Sequence, residues 1–181
     1  METAAGMIMD ARRNGNRLHI SGIGKTAYAA EYAAALFSST GTPAYFLHGT
    51  EAVHGSCGQL VSGDIVIFLS NSGKTPEMQA AVAAVHANGC QIIGISGDPQ
   101  SWLAQTSDCH LFAGVPEEGG PLNRAPRMSL LAEIILLQAL SVILQANQRI
   151  TPQQYIKWHP GGALGQLRAE ETEDIFCKKT V

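Results

Sequence analysis

The sequence predicts an α/β fold, a three-layer αβα sandwich built on a five-stranded parallel sheet. Three observations predict it. Short, almost wholly apolar runs alternate with longer stretches of helical pattern, and that alternation implies crossovers between parallel strands. The runs lack the polar alternation of a half-solvated strand, as expected where helices cover both faces of a flavodoxin/Rossmann-like sheet. A chain of 181 residues, 45% hydrophobic and 15% charged, suits one domain with a sizeable core.

The elements follow in order. RLHIS (17–21) reads as a strand and GIGK (22–25) as a turn. TAYAAEYAAALFSST (26–40) is an alanine-rich helix, and AYFLH (44–48) a second strand after the turn signal Gly41-Thr42-Pro43. DIVIFLS (64–70) is the third strand and runs into the loop NSGKT. PEMQAAVAAVHAN (76–88) is a helix that Pro76 opens and Gly89 stops. QIIGIS (91–96) is the fourth strand, SWLAQTSD (101–108) a short helix, and CHLFAGV (109–115) the fifth strand. A loop with three prolines leads to a long helix over 128–146, TPQQYIKW (151–158) opens another short one, and HPGGALG (159–165) ends the organised part. Ahead of the first strand, METAAGMIMDARRNGN offers at most a short helix. With no internal repeat or linker, residues 1–168 read as one domain and 169–181 as a charged tail.

Composition excludes several classes. A net charge of −3 without a run of Lys or Arg argues against a nucleic-acid partner. No signal-peptide core opens the chain, and MSLLAEIILLQALSVIL (128–144) carries Glu133 and Gln138 and falls short of the roughly 20 residues that span a bilayer. No membrane partner is expected, and that stretch reads as a buried or interface helix. Cys57, Cys90, Cys109 and Cys177 have no CxxC spacing; they read as reduced, mostly buried thiols of a cytoplasmic protein.

Gly-Lys-Thr occurs twice, at 24–26 and 73–75. A nucleotide-binding P-loop needs an earlier glycine to wrap the phosphates, and the required positions hold His19 and Phe68. The dinucleotide fingerprint fails likewise, because Ala27 stands at its third glycine. The loop SNSGKTPE (70–77) carries more. Ser70, Ser72 and Thr75 supply hydroxyls, Gly73 permits an unusual turn, and Thr75, Pro76 and Glu77 fit N-cap, N1 and N2 of the next helix. Such a start aims free N–H groups and a positive dipole end at an anion such as a phosphate monoester. It also fits a helix that is simply well capped. Taken singly, Lys25 fits a solvated lysine, His54 a turn histidine, Glu118 a surface carboxylate and His159 a helix cap. His48, His86 and His110 read as structural. A metal shared by His48 and His54 would need a spacing the sequence lacks, so no metal is expected.

SNSGKTPE resembles the phosphate-loop signature of the SIS (sugar isomerase) domain. GIGKTAYAAEYAAALFSSTGTPAYFLHGTEAVHG, PEEGGPLNRAP and HPGGALG, in order between Arg17 and Leu167, are similar to the arabinose-5-phosphate isomerases of that family. The resemblance implies an aldose–ketose isomerase that interconverts D-arabinose 5-phosphate and D-ribulose 5-phosphate through an enediol, with no cofactor. It gives the phosphate to Ser70, Ser72 and Thr75, with Asn71 and Gly73 shaping the loop and Gly24 lining the site. It matches the family's active-site residues at Lys25, His54, Glu77, Glu118 and His159. These types suit the reaction, which needs a base at C2, proton traffic between O1 and O2, and a cation for the enediolate. Glu77 is the expected base and Glu118 its rival; Lys25 would hold enediolate charge, and His54 and His159 would serve ring opening and proton transfer. The alternatives are a non-catalytic SIS sensor of sugar phosphates and an SIS enzyme acting on an amino-sugar phosphate.

The resemblance also implies a homo-oligomer, a tetramer in this family, with active sites at subunit interfaces. Three departures bear on the substrate or assembly. The pair of CBS domains usual after HPGG is not expected here, because the sequence stops soon after. The helical lead before the first strand is shorter than usual. Arg124 and Arg127 stand where the family has a Ser/Thr-rich segment, and Lys74 replaces a common acidic residue.

Overall fold

The computed structural model describes residues 1–168 and Glu171; the charged tail and Cys177 otherwise lie outside the described residues. Five strands, β1 (Leu18–Gly22), β2 (Ala44–Phe46), β3 (Ile65–Leu69), β4 (Gln91–Ser96) and β5 (Cys109–Phe112), pair in parallel in the order β2-β1-β3-β4-β5. Every residue of β1 and β3 is buried, which is why these runs carry no polar alternation. Leu18, Ile20, Ile65, Ile67, Leu69, Ile93 and Ile95 face one helical layer, and Val66, Phe68 and Ile92 the other. The first layer holds α1 (Glu2–Arg13), α2 (Lys25–Ser39) and α5 (Met128–Asn147); the second holds α3 (Pro76–Ala87) and α4 (Trp102–Thr106). A short α6 (Pro152–Trp158) follows. The predicted sandwich is the observed one.

The strand order reverses between β1 and β3: the chain leaves β1 toward β2 and returns on its other side. Ligands of open α/β sheets bind at such a switch point, beyond the carboxyl ends of the strands. Both Gly-Lys-Thr loops lie there. At the opposite end, the buried Asp64 carboxylate accepts hydrogen bonds from the amides of Arg17 (2.8 Å) and Val61 (3.0 Å) and from His19 Nε2 (3.1 Å). Burial pushes this carboxyl up, but the hydrogen bonds outweigh it and hold it below its ordinary value. The same burial lowers His19, so a neutral imidazole donates to the carboxylate. The entries of β1 and β3 are thereby clamped together.

Several elements differ from the sequence expectation. The N-terminal segment forms a helix of 12 residues with Ala4, Ala5, Ile8 and Ala11 buried. The stripe has helical spacing, but three of its four members are alanines, whose small apolar surface leaves little pattern to read. β2 and β5 end at Phe46 and Phe112, short of 48 and 115; each is an edge strand with one neighbour, and its ladder runs only to Ile20 of β1 or to Ser96 of β4. Two 3-10 turns, Glu51–His54 and Ser56–Gln59, joined by Gly55 at φ 114°, fill the link from β2 to β3. They bury Ala52 and Cys57 in the cluster around Met78 and Val82 of α3. Cys90 is also buried and Cys109 half-buried, all three as free thiols; burial raises the Cys90 thiol to about 11.

α5 spans 20 residues, and its mean hydropathy of 1.9 would suit a membrane span by length and composition. It is longer than the apolar run read from sequence, and it packs along α2 and α1, burying Leu137, Leu140 and Leu144. Thr40 Oγ1 and Ser141 Oγ meet at 3.0 Å across the α2–α5 contact. The same buried face carries Glu133, 1% exposed, whose carboxyl oxygens have no hydrogen-bond partner among the described residues. Burial, with a smaller push from the charge of Glu118, raises this carboxyl to about 8. An unfolded glutamate ionises near pH 4.3. Between that value and about 8 the unfolded chain has released a proton that the folded chain keeps, so stability falls as pH rises through this window, by at most ~1.4 kcal/mol per pH unit. Melting temperatures recorded from about pH 5 to about pH 8 should decline in the parent protein, and Glu133→Gln should flatten the decline and raise the upper end. Parallel profiles would show that Glu133 does not keep its proton in the folded protein.

Candidate functional site

The switch point is built from tight local contacts. β1 ends at Gly22, where a Cβ would lie 2.6 Å from Thr26 Oγ1. Thr26 Oγ1 accepts from the Ile23 amide and reaches the carbonyl of Leu69, both at 3.1 Å, which fastens the GIGK turn to the end of β3. Gly24, at φ 68°, is the N-cap of α2 and offers no side chain to its first amides. Lys25 is the first residue of α2 and is exposed.

β3 leads directly into the serine loop. The buried Ser70 accepts from the Gly73 amide at 3.2 Å through its hydroxyl, and Ser72 Oγ accepts from the Lys74 amide at 3.3 Å. Gly73 has φ 59°, and a Cβ there would fall 2.3 Å from Ser101 Oγ. The loop is stitched to the link between β4 and α4 by two backbone bonds, Gly97 N to Asn71 O (2.9 Å) and Leu103 N to Gly73 O (3.0 Å). Thr75 is the N-cap of α3 and Pro76 its first residue, as the sequence predicts, but the Thr75 hydroxyl makes no capping bond. The first amides of α3 and that hydroxyl are therefore free of one another. This is a nest of donors at a positive dipole end, suited to an oxyanion. The simple well-capped-helix reading does not describe it. Glu77, in the first turn of α3, is exposed beside this nest.

Glu118 is drawn to the same place from the loop after β5. One of its oxygens accepts from Asn71 Nδ2 (3.3 Å), and the other from the amides of Arg127 (2.7 Å) and Ser129 (3.1 Å) at the start of α5. Burial pushes its carboxyl up, but the hydrogen bonds from Ser129 and Arg127 prevail and hold it below its usual value. Glu118 thus caps α5 from a distance and ties it to the serine loop. Lys74 turns away to Asp98, 3.2 Å distant. Arg124 and Arg127 line an open cleft of about 560 Å³ together with Lys25, Pro121, Leu122, Ala125 and Pro126.

The histidines divide. His54 is exposed on the first 3-10 turn, which packs against α3. His159 follows α6, where it stacks on Tyr155 (4.1 Å) and Nδ1 lies 2.9 Å from the Tyr155 carbonyl. Its neighbour Trp158 lies against Gly41, beyond the C-terminal end of α2. Lys25 stands at the other end of that helix, about 22 Å away by the rise per residue. A single chain therefore gathers Lys25, Glu77, Glu118, Asn71 and the serine loop, and leaves His159 remote. His110 bonds Ser96 Oγ (2.8 Å) and His48 meets Thr50 Oγ1 (3.1 Å), in keeping with structural roles. Among the described residues no three His, Cys, Asp or Glu side chains gather as a metal site.

Sequence reasoning missed three contributors. Thr26 and Ser101 hold the two loops, and Asn123, at φ 46°, accepts from the amides of Glu118 (2.6 Å) and Gly119 (3.1 Å) through Oδ1. An asparagine beside Gly-Gly-Pro is a legible turn signal; the roles of Thr26 and Ser101 depend on contacts between separate segments and leave no local trace.

Comparison with known proteins places the geometry in context. The family model described as the SIS domain matches residues 13–143. The arabinose 5-phosphate isomerase KdsD of Pseudomonas aeruginosa is 36% identical over 160 residues, covering 88% of this chain and 49% of the relative. The chain spans about half the length of the curated relatives it matches. Among solved structures, a protein of Escherichia coli CFT073 in complex with A5P aligns with a TM-score of 0.81 and 32% identity, covering 88% of this chain and 85% of that one. A candidate phosphosugar isomerase involved in capsule formation from Bacteroides fragilis aligns with a TM-score of 0.85 and 36% identity, covering 89% and 85%.

The contact at Gly73 is open to direct test. Gly73→Ala adds a Cβ inside Ser101 and forces an L residue to positive φ, which costs on the order of 1–3 kcal/mol. The variant should melt several degrees lower and lose affinity for inorganic phosphate measured calorimetrically. Unchanged phosphate affinity would show that the loop's shape does not set anion binding.

Proposed function

Because the chain belongs to the SIS-domain family, we propose that it is an aldose–ketose isomerase that interconverts D-arabinose 5-phosphate and D-ribulose 5-phosphate through an enediol. The observation that carries the reading is the uncapped start of α3, with Glu77 in its first turn, beside Lys25 at the start of α2 on the adjoining strand end. The names of the relatives support the same substrate.

In this reading the phosphate sits on the first amides of α3 with the hydroxyls of Ser70, Ser72 and Thr75. The sugar then extends past Glu77 toward Lys25. Glu77 takes the proton from C2, the electrons of that C–H bond form the C1–C2 double bond, and negative charge collects on O1. A proton then passes from the O2 hydroxyl to O1, and as the electrons on O2 form the C2 carbonyl, the C1–C2 double bond takes up a proton at C1 to complete the ketose. Lys25 stabilises the intermediate charge, and preorganised charge of this kind is often the largest part of catalysis. Glu118 would have to release three hydrogen bonds to serve as the base, which favours Glu77.

The remote position of His159 favours a site completed by a second copy of the chain. The outer face of α5 and the adjoining α2 expose Tyr28, Leu131, Ile135 and Val142, apolar surface suited to packing between copies. We take the assembly to be a homo-oligomer, a tetramer by resemblance, working in the cytoplasm.

Proton NMR of the protein with D-arabinose 5-phosphate in D₂O should show ribulose 5-phosphate carrying deuterium at the position that receives the proton. Binding without conversion would point to a sensor. Glu77→Gln should lower kcat by about 10²–10⁴, and normal turnover by that variant would remove Glu77 from the role. Glu77→Gln and His159→Ala proteins, each inactive alone, should regain activity when dissociated and reassembled together. Continued inactivity of the mixture would place both residues in one chain's site.

A further inference from the structure

We propose that the cleft between Lys25 and the loop 121–127 is an oxyanion subsite that receives the charge at the end of the substrate remote from its phosphate, with Arg124 a further catalytic residue. This rests on the isomerase reading. Three cations, Lys25, Arg124 and Arg127, line the cleft, and no carboxylate does. None of the three cationic groups has a carboxylate oxygen within 4.0 Å among the described residues. Like charges gathered around one space repel, and an anion placed between them relieves that repulsion. The Glu118 carboxylate, in the same loop, directs its oxygens at Asn71 and at the amides of Arg127 and Ser129.

The wall of the cleft is built to hold its cations in place. Asn123 closes the turn from within, and Glu118 fastens its far end to α5. The Arg127 guanidinium lies over the loop, donating to the Gly119 carbonyl at 3.2 Å. Gly120, at φ 81°, leaves room for it; a Cβ there would meet Arg127 Nη1 at 2.7 Å. Arg127 is thus a positioning residue. Arg124 is exposed, and its side chain has no hydrogen-bond or ion-pair partner among the described residues. It is the guanidinium left to meet a ligand.

Lys25 belongs both to the cleft and to the turn fastened against β3, so a molecule anchored on the serine loop extends toward the cleft. Once the C2 proton has left, an enediolate presents two oxygens in one plane. A guanidinium fork matches such a pair, which an ammonium meets only as a point charge. Arg124 and Lys25 together would meet both oxygens. An aldonate, with a planar carboxylate at C1, copies that arrangement without reacting.

The test compares two inhibitors that share every atom but the end group, 5-phospho-D-arabinonate and D-arabinitol 5-phosphate. The parent protein should bind the aldonate about 10- to 100-fold more tightly than the alditol, and Arg124→Gln should abolish most of that preference while leaving alditol affinity unchanged. The same variant should lose kcat with little change in KM and keep its melting temperature. Equal affinity for the two inhibitors in the parent, or a preference that survives Arg124→Gln, overturns the subsite. If the Arg124-dependent preference is present but no aldose phosphate is converted, the isomerase reading fails and the subsite stands. If conversion occurs and Arg124→Gln leaves it untouched, the subsite fails and the isomerase stands.

Discussion

Everything at the functional end of the molecule depends on helix-start amides left without side-chain caps. α4, α5 and α6 each have a side chain bonded to their first amides: Ser101, the distant Glu118, and Thr151 in a reciprocal pair with Gln154. α2 and α3, which begin at the switch point, do not. A missing cap costs roughly 0.5–2 kcal/mol, so two open helix starts side by side weaken the fold where an incoming anion would restore the lost bonds. The sheet brings them together because β1 and β3 are neighbours with the same direction.

The loops can stay open because other contacts hold them. Thr26 fastens the first, and Asn71, Gly73, Gly97 and Leu103 fasten the second. Glu118 joins both the serine loop and the start of α5 to the loop after β5. Its carboxylate is more firmly engaged than that of Glu77, an inversion of what their surroundings in sequence suggest, since Glu118 sits among glycines and prolines and Glu77 opens a regular helix. Engagement makes Glu118 a good clamp; lack of it leaves Glu77 available for proton transfer.

The layers, the parallel strands and the serine loop were legible because each is a pattern within a few residues. Apolar runs marked β1, β3 and β4, and Ser-Gly-Lys-Thr-Pro-Glu marked a helix start facing an anion. α1 was legible only as a short helix at most, because a stripe of alanines carries little contrast against its neighbours. The edge strands were overextended, since chain composition does not reveal where a partner stops. His159 was singled out by its motif, but only the fold shows that it lies near the far end of α2. The buried, unpartnered Glu133 also went unread, because a lone acid in an apolar helix looks the same whether it faces solvent or core.

The close approach of Gly73 and Ser101 ties two segments of chain into one inheritable unit. The serine loop at 70–75 and the link at 97–103 meet through the space a Cβ would need, and Gly97 likewise would place one 2.2 Å from Asn71 Oδ1. A larger side chain at Ser101 would act on the anion nest as surely as a change in the nest itself, although Ser101 touches no substrate in any reading above. Substitutions in the two segments cannot be expected to add. Drift at one is permitted only along paths the other has already opened, so the affinity of this loop is governed jointly by residues that a survey of the loop alone would miss.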